Sequence, residues 1–312
     1  MDNSLSEKPI YSIVGPTASG KTEIGVELAL KIGGEVINCD SVQIYRGVEI
    51  ATAKPTVEEM RGVPHHLIDY VAPDVKYTAA DWARDAAAKI CEIEERGNIP
   101  ILVGGTGFYL RALREPFFES PKTDEKLRER LAKIKNAKGA EHLYKILQKV
   151  DAASAARNQP RDYVRVMRAL EVRFQTGKRL SEVQPNRADA PEFADRIKIF
   201  ALYPPRNSLY KKINERAEIH FQRGLVEEVE RLRASGVKDD TNALGAHGYR
   251  RVCEYLRGER SLESAIERTK QDVRNYAKRQ MSWFRHKEDV IWLEGFGNET
   301  ETQKILYEIL EI

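Results

Sequence analysis

The chain has 312 residues, of which 41% are hydrophobic and 32% charged, enough to bury a sizeable core in one large domain or two smaller ones. A formal net charge of +3 excludes a polycation, so any nucleic-acid site must come from local clustering of basic residues. Three cysteines, Cys39, Cys91 and Cys253, lie far apart without a C-x-x-C pair, which excludes a disulfide framework or a zinc site of the usual spacing.

Met1 to Pro9 is polar with no apolar signal core, and no apolar run approaches membrane-spanning length, so a cytoplasmic protein with no membrane partner is expected. The apolar run Ile10 to Val14 predicts a strand. It leads straight into Gly15-Pro16-Thr17-Ala18-Ser19-Gly20-Lys21-Thr22, a complete G-x-x-x-x-G-K-[ST] signature. An amphipathic helix follows over Glu23 to Lys31, with Ile24, Leu28 and Ile32 on one face. Such a loop aims backbone N–H groups at a diphosphate, adds the Lys21 ammonium, and lets the Thr22 hydroxyl reach Mg²⁺. It does not by itself specify ATP.

Val36 to Cys39 reads as a second strand, ending at Asp40. Polar Asn38 interrupts the run, and the more apolar strand Ile99 to Val103 ends in Gly104-Gly105 instead. A second magnesium carboxylate and a residue to hold a hydrolytic water are therefore not evident, which argues against motor or switch ATPase chemistry. Asp40 is a candidate general base beside a bound diphosphate, or else a helix cap or turn former. His65 and His66 are adjacent; on a strand they point to opposite faces, so bidentate metal binding is not expected, and one of them should pack or hydrogen-bond near the site.

A helix over Ala79 to Arg96, the strand Ile99 to Val103, a strand over Ile197 to Leu202 and a last one over Val290 to Leu293 complete an alternation that predicts a doubly wound α/β core. Ligands in such sheets sit at the carboxyl ends of the strands, where the loop, Asp40 and Gly104 to Tyr109 would meet. Residues 123–180 have a different texture, with helices predicted over Asp124 to Ala137, Ala140 to Val150 and Arg161 to Gln175, bracketed by Pro121 and Gln184 to Pro191. The expected organisation is a core of 8–121 and 193–312 with an inserted helical subdomain of 122–192. Residues 206–287 are again mainly helical, with breaks at Gly224, Gly236 and Gly245 to Gly248.

Basic residues cluster twice. Arg161, Arg165 and Arg168 fall on one helical face, leaving Val164, Leu170 and Val172 to face a core. Residues 270–287 hold Lys270, Arg274, Lys278, Arg279, Arg285 and Lys287 against one acid, Asp272, a net +5, with Tyr276 and Trp283 on another face and Phe284 adjacent. Positive charge interleaved with aromatics suits a phosphate backbone and unstacked bases; a solvated face over a core stripe is the alternative.

Taken in order, Gly-Pro-Thr-Ala-Ser-Gly-Lys-Thr (15–22), Asp-Ser-Val-Gln-Ile-Tyr-Arg (40–46), Thr-Ala-Lys-Pro (52–55), His-His-Leu-Ile-Asp (65–69), Val-Gly-Gly-Thr-Gly-Phe-Tyr (103–109), Arg-Ala-Leu-Glu-Val (168–172) and Lys-Arg-Gln-Met-Ser-Trp-Phe-Arg (278–285) resemble the bacterial-type tRNA dimethylallyltransferases, also called adenosine-37 isopentenyltransferases. The resemblance runs from about Ile10 to Lys287. It implies a P-loop NTPase-like parallel-sheet core with an inserted helical subdomain and a helical C-terminal part. The implied reaction moves a dimethylallyl group from dimethylallyl diphosphate to N6 of the adenosine next to the tRNA anticodon, with Mg²⁺ as cofactor.

Residue by residue, the resemblance gives Asp40 the general-base role, Gly15 to Thr22 the diphosphate, Thr22 the Mg²⁺ and Arg216 a further contact to the diphosphate. It gives the tRNA to Asp40, Ser41, Val42, Gln43, Thr106, Arg128, Arg165, Arg168, Gly248, Tyr249, Arg250, Lys278, Arg279, Gln280, Trp283 and Arg285, and a monomer is expected. There are departures. Asn158-Gln159-Pro160-Arg161-Asp162 stands where the family usually has Ile-His-Pro-Asn-Asp, His247 replaces an aliphatic residue before Gly-Tyr, and Ala51 replaces a glycine. The zinc finger of eukaryotic relatives has no counterpart. A small-molecule P-loop kinase and an RNA-binding nucleotide switch remain the competing readings; neither uses both Asp40 and the basic helix.

Overall fold

A computed structural model describes residues 8–118, 121, 123–186, 189–287 and 289–312. Most of the polar N-terminal stretch, the boundary assigned at Lys122 and two residues of the 184–191 bracket lie outside the described residues. The described chain forms two compact units, one running to Arg114 and resuming over Pro191–Ile312, the other Glu115–Ala190.

The larger unit is built on a six-stranded, all-parallel sheet. Its strands are β1 (Ile10–Val14), β2 (Gly34–Asn38), β3 (His65–His66), β4 (Ile99–Val103), β5 (Ile197–Tyr203) and β6 (Val290–Glu294), in the spatial order β3-β2-β4-β1-β5-β6. The register sets Tyr11 beside Ile101 on one side of β1 and Lys198 on the other. Ile13, Ile37, Ile101, Leu102 and Phe200 are fully buried, as expected of parallel strands covered on both faces. β3 is only two residues long, too short for any periodicity to reveal.

Helices α1 (Lys21–Ile32), α2 (Val57–Met60), α3 (Ala79–Glu95) and α4 (Gly107–Arg114) connect the first strands. Thr78 starts α3 with a capping box, its hydroxyl accepting from Asp81 N while the Asp81 carboxylate accepts from Thr78 N. Trp82 on α3 is fully buried, donates to Asn38 O at 2.9 Å and stacks on Tyr109. That contact pins α3 and α4 beside the carboxyl end of β2.

The smaller unit holds α5 (Glu125–Lys138), α6 (Ala140–Val150), α7 (Ala152–Arg157), α8 (Tyr163–Thr176) and α9 (Leu180–Val183) around Leu131, Leu143, Leu147, Val166 and Leu170. Buried Asp151 ties α7 to α9, accepting from the backbone and hydroxyl of both Ser154 and Ser181. The sequence expectation for α8 needs correction. Asp162 caps the helix, so Arg161 lies outside it, and Val164 is 63% exposed while Leu170 and Val172 are buried. The buried positions of α8 begin at Val166 and run to Val172 with Arg168 excepted, so Val164, in the first turn, precedes the stretch that packs inward.

After β5, the larger unit continues through α10 (Arg206–Gln222), α11 (Leu225–Ala234), α12 (Tyr249–Leu256) and α13 (Leu262–Arg285), and α14 (Thr300–Leu310) follows β6. Ile44, Tyr45, Leu225, Val229, Tyr249 and Val252 form a second core that carries the loop after β2.

Candidate active site

The glycine-rich loop leaves β1 with positive φ at Gly15, Ala18 and Gly20, the local reversal that turns successive N–H groups to one side. Two distant segments hold it there. Gly297 N donates to Ser19 O at 2.8 Å, and a Cβ on Gly20 would lie 2.9 Å from the backbone nitrogens of Gly297 and Asn298, so only glycine fits. From α13, buried Gln280 accepts from Thr17 N at 2.8 Å and donates to Gly105 O at 3.0 Å, bracing the loop against the end of β4.

Lys21 donates to Pro16 O at 2.7 Å. Burial pushes its ammonium down to about 8, Asp40 opposing the shift and Arg216 adding to it. Arg216, on α10, donates to the Thr17 hydroxyl, and burial lowers its pKa as well. Among the described residues neither cation has a carboxylate within ion-pair distance. The Ser19 hydroxyl is buried with no hydrogen-bond partner among the described residues. Two half-buried cations and a buried hydroxyl beside a cradle of N–H groups are the donor set a diphosphate satisfies. No group of three or more His, Cys, Asp or Glu side chains among the described residues could hold a metal. One hydroxyl, Thr22, on the wall of the same cavity fits Mg²⁺, which takes few protein oxygens alongside phosphate oxygens and water.

Asp40 follows β2. Its Oδ1 accepts from Val42 N at 2.8 Å and Gln43 N at 3.3 Å, so the carboxylate forms its own turn. The turn-former reading and the base reading therefore coexist in one side chain: Oδ1 is spent on the turn, and no hydrogen bond to Oδ2 is present among the described residues. Ser41 N donates to the Thr106 hydroxyl at 3.1 Å. A Cβ on Gly104 would lie 2.1 Å from Cys39 O, which is why β4 must end in glycine to pack beside Asp40.

Asp40 borders two cavities. One, of about 860 Å³, runs along Thr17 to Glu23, Thr52 to Val57 and Arg223; the other, of about 200 Å³, is lined by Ser41, Val42, Ile213, Ala217, His247 and Tyr276 among others. Thr17, Asp40, Thr52, Arg216 and His220 belong to both walls. A phosphate cradle and a carboxylate thus meet at one boundary, with an apolar-walled chamber beyond it.

The IPP transferase family model matches residues 43–287. A tRNA dimethylallyltransferase of Geobacter sulfurreducens is 47% identical over 94% of each chain. The chain belongs to the IPP transferase family. A tRNA isopentenylpyrophosphate transferase of Bacillus halodurans, solved crystallographically, superposes with a TM-score of 0.71 at 39% identity, covering 98% of this chain and 96% of that one. A eukaryotic dimethylallyltransferase captured acting on tRNA superposes at 0.80 with 28% identity, covering 97% of this chain and 80% of that one.

Within this IPP transferase, the residues that the motifs assign to RNA divide by location. Ser41, Val42, Gln43, Thr106 and Tyr249 surround the boundary at Asp40, although Gln43 turns to its own loop, donating to Thr52 O and Ala53 O. Tyr249 is fully buried, donating to Glu228 at 2.6 Å and accepting from Ala51 N, and Gly248 precedes it at φ +91°. Arg250 is exposed beside Glu254. On α13, Lys278 and Arg279 are exposed, Trp283 meets Phe108 edge to face and covers Gly107, and Arg285 lies over the Tyr203 ring, donating to its hydroxyl at 2.7 Å. Lys270 is drawn off the basic face into Glu218 and Glu267, and Arg274 donates to Asn214.

In the smaller unit Arg165 pairs with its own cap, Asp162, at 3.3 Å. Arg128 and Arg168 converge on Glu171, which is 0% exposed. Of the histidine pair, His65 reaches the larger cavity, while His66 pairs with Glu35 at 2.6 Å, where Arg96 and Asn98 also converge. Sequence reasoning passed over His220 and Ile213, and it gave Thr52 and Tyr276 no place at the Asp40 boundary. His220 carried a usable signal, since it lies one helical turn past Arg216 on the same face of α10. Burial and the guanidiniums of Arg216 and Arg223 push its imidazole down to about 4, so it is neutral at pH 7.

Proposed function

We propose that this enzyme transfers the dimethylallyl group of dimethylallyl diphosphate to N6 of the adenosine adjoining the anticodon of tRNA. The observation that carries the reading is the shared boundary where Lys21, Arg216 and the loop N–H groups stand beside Asp40. Charge develops on the departing diphosphate as the allylic C–O bond weakens. Loop amides, Lys21 and Arg216 are fixed where that charge grows, so they stabilise it without reorganising. Thr22 would hold Mg²⁺, which would supply further neutralisation of the diphosphate.

The exocyclic amine is a weak nucleophile that must lose a proton as it attacks. Asp40 Oδ2 takes that proton while the C–N bond forms, and the C–O electron pair leaves with the diphosphate. Val42, Ile213, Ala217 and Val273 keep water from the electrophilic allyl carbon. The adenine must leave its stack to reach this chamber. Lys278, Arg279, Arg285 and Trp283 hold the RNA backbone and neighbouring bases, Arg165 and Arg250 add charge, and Arg128 and Arg168 act by shaping α8 through Glu171. Gln280 and Tyr249 serve the RNA indirectly, by fixing the loops that frame the base.

Purified protein, Mg²⁺ and unmodified tRNA should be offered labelled dimethylallyl diphosphate and, separately, γ-labelled ATP. Label reaching tRNA from the prenyl donor alone is expected. Consumption of the γ-phosphate without prenyl transfer would return the protein to the kinase or switch readings.

A further inference from the structure

His247 lies on the wall of the 200 Å³ chamber together with Asp40, Ser41 and Val42. Its place is rigidly set. The next residue, Gly248, would bring a Cβ within 3.1 Å of Ala51, and Tyr249 beyond it is anchored by Glu228 and Ala51 N. The imidazole packs on Tyr276 with ring centroids 5.0 Å apart, and its Nε2 faces the Arg279 guanidinium at 3.5 Å. A guanidinium has only N–H groups, so Nε2 must present its lone pair, and the ring proton belongs on Nδ1. Burial and Arg279 keep the ring neutral. Among the described residues Nδ1–H has no hydrogen-bond partner.

We propose that His247 is a base-reading residue, whose Nδ1–H donates to a ring-nitrogen lone pair of the acceptor adenine. This rests on the prenyl-transfer reading above. The isoprenoid tail has no acceptor to offer. Adenine has three ring nitrogens with lone pairs directed outward, N1, N3 and N7, and Asp40 already engages the N6 hydrogen. A donor on one side and an acceptor on the other would orient the amine for attack, and a base presenting an N–H at the read position would leave His247 opposed donor to donor. Where an aliphatic side chain occupies this position, the base loses that hydrogen bond.

The test uses anticodon stem-loop RNA carrying adenosine or its 1-deaza, 3-deaza or 7-deaza analogue at the acceptor position. Wild type is compared with His247→Phe, which keeps the ring contact with Tyr276, and with His247→Ile, which restores an aliphatic residue. One deaza analogue should lower kcat/KM about tenfold more in wild type than in either variant, the coupling expected of a single hydrogen bond. The analogue that does so identifies the nitrogen. Identical analogue penalties in all three enzymes would overturn the assignment while leaving prenyl transfer intact. Absence of transfer from wild type to the adenosine stem-loop would instead overturn the parent reading, and this one with it.

Discussion

Positive charge is handled in opposite ways in the two units. Around the glycine-rich loop, Lys21 and Arg216 are half-buried with no carboxylate within ion-pair distance among the described residues, and both have depressed pKa values. In the helical unit, Arg128 and Arg168 enclose a fully buried Glu171 at 2.6 and 3.2 Å. A dehydrated cation without a counter-ion is costly and is tolerated where an anion arrives from outside. A cation that neutralises a buried carboxylate is already committed to architecture. Sequence cannot separate the two, because both read as an arginine or lysine on a polar face.

Four measurements test that contrast. Asp40→Ala removes the group between the cradle and the chamber; prenyl transfer should fall by about 10² to 10⁴-fold with tRNA affinity unchanged by gel shift. Near-normal turnover would remove Asp40 from the mechanism. Glu171→Ala removes the carboxylate that Arg128 and Arg168 share, destabilising the helical unit by about 2–3 kcal/mol after allowance for their partial exposure and for the bond Arg168 keeps to Pro121 O. Hydrogen exchange should quicken in α5 and α8 and stay slow in β1, β4 and β5; uniform protection would mean that Glu171 is dispensable.

Gln280→Ala leaves Thr17 N and Gly105 O without their partner, a cost of about 1–3 kcal/mol. It should raise the KM for the prenyl donor about tenfold while tRNA affinity holds, and the reverse pattern would make Gln280 a direct RNA contact. The smallest effect is pH-dependent. Lys21 has a folded pKa of about 8, below its ordinary value, so the free enzyme loses this charge as pH rises past 8. Donor kcat/KM should be level below that point and fall by about tenfold per unit above it, whereas Lys21→Arg should move the decline upward. A profile that is the same for both would exclude Lys21 as the titrating group.

The strands around the loop were legible because parallel strands buried on both faces are uninterrupted apolar runs, as in Ile99 to Val103. The loop was legible because anion binding by backbone N–H groups demands glycine at set intervals. What pattern could not convey was partnership across distance. Gln280 sits 263 residues from Thr17, so nothing local distinguishes a loop brace from a polar residue on a basic helix. Arg168 shares a helix with Glu171, yet Arg128, which completes the pair, comes from another helix. Val164 was misplaced for a simpler reason: Asp162 caps the helix, so Val164 falls in its exposed first turn, ahead of the buried stretch from Val166. His247 and His220 face the chamber only because the turns after α11 and within α10 bring them there.

The bracing of the glycine-rich loop by Gln280 and Gly297 also governs the order of events on the ribosome. The motif leaves the ribosome well before the residues whose contacts shape it, Gln280 lying 263 positions after Thr17. Nascent chains shorter than that carry the complete signature without its geometry, and such non-local closure is slow by nature. A fully braced loop is therefore expected only in chains whose translation has passed Gly297, and a chain truncated before it should bind a diphosphate more weakly.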